Sequence, residues 1–244
     1  MTPHIVDHHD PSTRSQIEVV AFDADDTLWR NEEFFRGAED LFMELVGPYV
    51  PDGVDLRAAL TSVEVGNIPL SGYGVKAFGL SMVECAVTVT AGRVPASVIG
   101  RIVDHVHDLL RHPVEILNGV PETLAAVGTT HRVVLITKGD LVHQTRKVRT
   151  SGLEHHFEHV AVVLEKDPDA YRRLLSEWDI TPATFAMIGN SVRSDVLPVV
   201  EIGGFGIHVP YHLTWHHETV DDPEHSYAEL GSIRDVPAWL AGHA

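Results

Sequence analysis

The chain of 244 residues holds a single cysteine, Cys85, and few cations. One cysteine excludes an intrachain disulfide framework and fits a reducing compartment. Lys and Arg number 18 against 35 Asp and Glu, a formal charge of −17. A field of that sign repels nucleic-acid backbones and anionic membrane surfaces, and no Lys/Arg-rich run interleaved with aromatics counters it. The apolar runs are short: none approaches the roughly 20 residues that span a bilayer. The opening MTPHIVDHHDPSTRSQ is polar, contains proline and carries no signal-peptide pattern. Residues 1–16 therefore read as a flexible tail, and a cytoplasmic location is the expectation. No repeat or low-complexity tract stands out. What is left, 44% hydrophobic, is an ordinary globular composition.

Five short apolar runs read as strands: Val19–Phe22, Val133–Ile136, Val160–Leu164, Phe185–Ile188 and Phe205–Val209. From the second onward they alternate with helical patterns, which predicts βαβ units and a mostly parallel sheet. Asp167 and Pro168 mark a helix start, as N-cap and first helical residue, before an apolar face of Tyr171, Leu174 and Leu175. Over a hundred residues separate the first strand from the second, too many for a crossover loop. Most of Glu32–Arg111 has helical periodicity, broken at Gly47–Gly53, Asn67–Gly74 and Gly92–Pro95. The expected fold is α/β: a Rossmann-like parallel core over 17–29 and 115–244, with an inserted all-helical cap over 30–114. The phrase Asn118–Glu122 starts the helix that returns the chain to the sheet.

The chemistry gathers at the strand ends. Ile17–Leu28 reads IEVVAFDADDTL, an apolar run that stops in three carboxylates, Asp23, Asp25 and Asp26, and then Thr27. Carboxylates crowded at the carboxyl edge of an open α/β sheet are costly unless a cation or hydrogen bonds offset them. Thr137-Lys138-Gly139-Asp140 follows VVLI, Lys166 follows VVLE, and Gly189-Asn190-Ser191-Val192-Arg193-Ser194-Asp195 follows FAMI. Four ordered motifs at successive strand ends should converge in space.

This set, in this order, resembles the haloacid dehalogenase (HAD) superfamily, and within it the phosphatases with a helical cap inserted after the first motif. The resemblance spans about Ile17 to Pro210. It implies Asp23 as nucleophile and Asp25 as acid/base. It implies Thr137 and Lys166 as phosphate binders and the Asn190/Asp195 loop as metal support. The implied activity is Mg²⁺-dependent hydrolysis of a small phosphorylated metabolite. Dehalogenases of the superfamily act at carbon without metal and generally lack an acid where Asp25 stands, so Asp25 and Asp195 favour phosphorus. Asn190 departs from the phosphatase pattern, which commonly has Asp there. An amide oxygen still ligates but adds no charge, leaving Asn190 and Asp195 as alternative metal donors.

The residues support the same chemistry directly. Displacement at phosphorus needs an aligned nucleophile and neutralisation of the transferring group. Asp23 carries negative charge toward a phosphate dianion, so a divalent cation between them is close to a requirement. Oxygen donors suit Mg²⁺; the candidates are Asp23, the main-chain carbonyl of Asp25, Asn190 and Asp195. Asp25 would protonate the leaving alkoxide, and a protonated Asp25 is expected from an apolar lid and a neighbouring carboxylate. Lys166 offers a point charge to Asp23 and to phosphate.

Blander readings stand beside these. Asp25, Asp26 and Thr27 suit a turn or helix cap. Lys138 and Asp140 suit either substrate contact or a solvated helix start. Trp29, Phe34 and Phe35 fit cap-core packing better than a pocket, and Tyr73 fits a turn as well as a ligand contact. The HHxxH of His155, His156 and His159 lacks the glutamate of a zinc-protease helix and, like His8–His9 and His216–His217, reads as solvated surface. The rival functions are a dehalogenase or phosphomutase on the same scaffold, and an inactive binding protein. Substrate identity and oligomeric state are beyond the sequence.

Overall fold

The computed structural model describes residues 17–213 and 227–243. Its centre is a six-stranded, wholly parallel sheet in the order β3-β2-β1-β4-β5-β6. The strands are β1 (Val19–Phe22), β2 (Arg132–Lys138), β3 (His159–Val163), β4 (Phe185–Gly189), β5 (Phe205–His208) and β6 (Ala228–Glu229). β1 lies in the middle, paired on one side with β2 and on the other with β4. The strand order reverses there, and open α/β sheets bind ligands outside the carboxyl ends at such a reversal.

Period-two alternation divides the strands between two cores. Val20, Phe22, Val133, Leu135, Ala186 and Ile188 face one side, with Leu124 of α5 (Val120–Val127), Val148 of α6 (Leu141–Ser151) and Leu240 of α9 (Val236–Ala241). Val19, Ala21, Val134, Ile136, Phe185 and Met187 face the other, against α7 (Pro168–Glu177) and α8 (Leu197–Glu201). Burial on both faces explains why β1 and β4 read as unbroken apolar runs. Edge strand β3 begins and ends one residue earlier than its apolar run suggests, because Leu164 is 77% exposed and belongs to the following turn. β5 likewise stops at His208, short of Val209.

Between β1 and α5 lie the four helices of the cap: α1 (Glu32–Val46), α2 (Leu56–Ser71), α3 (Val75–Val89) and α4 (Ala96–Arg111). They bury their own core, including Phe42, Leu60, Phe78, Met82, Cys85 and Ile102, separate from both sheet cores. The break expected from Asn67 onward is confined to Gly72–Gly74. Helix α2 runs on through Asn67 and Pro69, and the Asn67 side chain donates to Ser81 and Glu84 of α3. Pro69 has no N–H to offer the Val65 carbonyl, and the helix ends two residues later. No helix among the described residues is long and apolar enough to cross a membrane.

Candidate active site

β1 delivers the first carboxylate. The Asp23 main-chain N–H donates to the Ile188 carbonyl, so this residue continues the ladder between β1 and β4 and its side chain stands at the sheet rim. The chain then turns sharply. Asp26 adopts the left-handed conformation at φ 61°. Its carboxylate accepts from the N–H groups of Asn31 (2.8 Å) and Glu32 (3.1 Å), tying down the start of α1. Asp26 thus fills the capping role, and burial raises its carboxyl to about 8 with help from the neighbouring Asp25 charge.

β3 and β4 bring the partners of Asp23. Lys166 is buried, with its Nζ 2.5 Å from Asp23 Oδ1 and 2.6 Å from Asp195 Oδ1. Burial pushes the Asp23 carboxyl up to about 7, with Asp195 adding to the rise, although Lys166 pulls the other way. Burial disfavours the Lys166 ammonium, but Asp195 and Asp23 outweigh it and hold the lysine charged. Two carboxylates against one ammonium leave this cluster one negative charge in excess.

The loop after β4 is a short π-helical turn, Val192–Val196, with Ser191 as N-cap. It carries Asp195 back onto the strand, where Oδ2 accepts from the Ser191 N–H at 3.0 Å. Gly189 makes the room: a Cβ there would lie 2.1 Å from Asp195 Oδ2. The Asn190 Oδ1 lies 3.2 Å from the Thr27 hydroxyl, which also lies 3.0 Å from Asp23 Oδ2. Asp23, Asp195 and Asn190 therefore form an all-oxygen donor set with surplus negative charge, which fits a hard divalent cation. Among the described residues no three His, Cys, Asp or Glu side chains gather as a metal set, so such an ion would take two carboxylates and an amide oxygen.

Asp25 differs from its expectation. Its carboxylate accepts from Trp29 Nε1 (2.6 Å) and Gln144 Nε2 (2.9 Å) and is paired with Lys147. Burial alone would raise its carboxyl, but Lys147, Trp29 and Gln144 outweigh burial and hold it below the usual range. In this arrangement Asp25 is ionised, not protonated, because a cation rather than an apolar lid sits against it. With its side chain so engaged, Asp25 is left only its main-chain carbonyl as a metal donor.

The remaining sequence candidates line one cavity between the sheet rim and the helical cap, together with Asp23, Asp25, Lys166, Asn190 and Asp195. Thr137 is buried, and its hydroxyl accepts from Gln144 Nε2 at 3.0 Å. Lys138 Nζ donates to Ser194 Oγ at 3.0 Å and stands 4.6 Å above the Tyr73 ring. Tyr73 is more than a turn residue: its hydroxyl donates to Glu165 across the cleft. Asp140 is the N-cap of α6, accepting from His143 N–H, and pairs with Lys76 of the cap at 2.7 Å. Phe35 lines the cavity, whereas Trp29 is fully buried and Phe34 packs against the cap core. The HHxxH histidines do not converge: the His155 and His156 rings lie against each other at a tilt, and His159 stacks on Trp178. His8–His9 and His216–His217 lie outside the described residues.

Three contributors were not singled out from sequence: Gln144, Lys147 and Ser194. A signal for two of them exists in α6. His143, Gln144 and Lys147 form its buried side, and polar residues on the inward face of a helix are a functional hint. His143 is kept neutral there, its ring pushed down to about 4 by burial and by Lys147.

The family model for haloacid dehalogenase-like hydrolases matches residues 17–203. A solved haloacid dehalogenase-like family hydrolase from Xanthomonas campestris is 43% identical over 93% of this chain and 92% of its own, with a TM-score of 0.84. A 2-haloacid dehalogenase from Pseudomonas syringae pv. Tomato DC3000 is 20% identical over 93% of this chain and all of its own, TM-score 0.65. The magnesium-bound HAD-hydrolase YfnB from Bacillus subtilis is 15% identical over 92% of this chain and 99% of its own, TM-score 0.64. These last two share the fold. No curated protein matches the sequence. A family match over residues 17–203, joined to a nearly full-length relative at 43% identity, establishes that the chain belongs to the haloacid dehalogenase-like hydrolases.

Proposed function

We propose that the protein is a Mg²⁺-dependent phosphomonoester hydrolase that works through an aspartyl-phosphate on Asp23, with a small metabolite as substrate. The observation that carries this reading is the Asp23–Lys166–Asp195 cluster at the strand-order reversal, with Asn190 and a second aspartate, Asp25, lining the same cavity. The excess negative charge and the all-oxygen donors support Asp23, Asn190, Asp195 and the Asp25 carbonyl as holders of the ion. Bound there, Mg²⁺ would neutralise the transferring phosphoryl group and keep the nucleophile ionised.

In the first half-reaction an Asp23 carboxylate oxygen attacks phosphorus, forming an O–P bond. The ester P–O bond breaks, and the departing alkoxide takes a proton from Asp25. Ionised while tied to Lys147, Asp25 must first release that lysine and take up a proton from solvent; it then gives this proton to the alkoxide. In the second half Asp25, again a carboxylate, takes a proton from water as the water oxygen attacks phosphorus. The Asp23–O–P bond breaks and inorganic phosphate leaves. Lys166, the Thr137 hydroxyl and Lys138 meet the phosphoryl oxygens. A carboxylate at position 25 has no task in a displacement at carbon, which favours phosphate over halide as leaving chemistry.

Turnover of p-nitrophenyl phosphate with Mg²⁺ should be removed by Asp23→Asn, a loss of at least about 10³-fold. Halide release from 2-haloacids, with no phosphate release from any ester, would replace this reading with a dehalogenase. Silence in both assays would point to a binding protein.

A further inference from the structure

The half of the cavity that would receive the alcohol part of the substrate differs from the phosphate half in one respect: it offers acceptors and almost no donors. Resting on the hydrolase reading above, we propose that the alcohol part carries an ammonium group, seated between Glu64 of α2 and Glu32 of α1 against the rings of Phe35 and Phe78.

Several observations converge. Both glutamates line the cavity, and no Lys or Arg of the cap does. Glu32 has one cation, Arg36, at 3.4 Å and half exposed, whereas Glu64 is paired with none among the described residues. A sheltered carboxylate without a counterion is costly, and a ligand ammonium would supply it. The nearby hydroxyls are spent: Ser71 donates to the Asn67 carbonyl, Ser81 to the Ala77 carbonyl and Tyr73 to Glu165. Gln144, 3% exposed and lining the same cavity, has its Oε1 buried with no donor. Its orientation is fixed, because the two hydrogens of Nε2 are shared among three acceptors, Asp25 Oδ2, the Thr137 hydroxyl and the Lys138 carbonyl. Oε1 therefore has no donor among the described residues, on the wall beside Asp25. The Phe35 and Phe78 rings, which line the same cavity, add attraction for a cation and none for an anion. A substrate bearing a carboxylate, as a haloacid or a phosphorylated hydroxy acid does, would set its charge against Glu32 and Glu64.

The test compares short aminoalkyl phosphates, from phosphoethanolamine upward, with alkyl and carboxyalkyl phosphates of equal length. The best amine should exceed its neutral match in kcat/KM by at least about tenfold, and the carboxylate should fall below the neutral ester by a similar factor. Glu64→Gln should cut the amine-to-neutral ratio by about tenfold, and Glu64→Lys should place the carboxyalkyl ester above the amine. Phosphate release at equal rates from all three classes, or preference for the carboxylate, overturns this inference and leaves the hydrolase reading intact. If no ester of any class releases phosphate, the hydrolase reading falls and this inference with it.

Discussion

The two walls of the cavity treat buried charge in opposite ways. On the sheet side every buried carboxylate has a cation or main-chain donors: Asp23 and Asp195 share Lys166, Asp25 has Lys147, and Asp26 has the α1 amides. On the cap side, among the described residues, Glu64 has no cation and Glu32 has one half-exposed arginine. A wall whose charges are settled within the chain is a prepared reaction floor. A wall whose charges are left open is shaped for something that arrives. The contrast separates chemistry from selection, and substitutions can break it from either side.

The largest effect should come from Lys166→Met. It strands two buried carboxylates, and removal of one partner from a buried pair costs about 3–5 kcal/mol. Chemical denaturation should register that loss together with loss of turnover; an unchanged midpoint would show that the floor does not depend on its lysine. Gly189→Ala comes next. The added methyl collides with Asp195, displaces it from Lys166, and should cost about 1–3 kcal/mol with a matching loss of activity. Lys147→Met leaves the Asp23 cluster alone and removes the cation of Asp25. A fall in kcat of roughly 10–10²-fold, larger than any change in KM, is the outcome for a positioning lysine.

The smallest effect sharpens the cap side. Burial, with Glu39 and Glu32 nearby, raises Glu64 from its ordinary 4.5 to about 7. A carboxyl raised by folding favours the folded state in its neutral form. That contribution is complete below pH 4.5 and is lost as pH climbs through 7. Glu64→Gln cannot ionise, so it should be more stable than the parent by about 1 kcal/mol at pH 8, with the two converging near pH 4. Equal stability across that range would mean that solvent already satisfies Glu64.

How much of this was legible in the sequence follows the same division. Asp23, Thr137 and Lys166 sit at or just past strand ends, where an apolar run stopping in a polar residue marks both the element and the position; Asp195 lies in the turn after β4 and follows from its motif. Strand patterns also gave the sheet order its parallel character, although β3 slipped by one residue because an edge strand has only one well-buried face. The ionised state of Asp25 was not legible. It depends on Lys147 and Gln144, which lie over a hundred residues away and reach Asp25 only through the packing of α6. Glu32 and Glu64 were invisible for a similar reason. On a helix a glutamate reads as solvated until the tertiary packing of α1, α2 and α3 encloses it.

The central claim is that Asp23 carries the phosphoryl group in mid-reaction. Acid-quenching the Mg²⁺-loaded enzyme during turnover of an aryl phosphate and mass-mapping its peptides tests this directly. The account predicts one phosphoryl group on the peptide containing Asp23, absent in Asp23→Asn. Steady phosphate release with that peptide unmodified, or with the group on another residue, would contradict it.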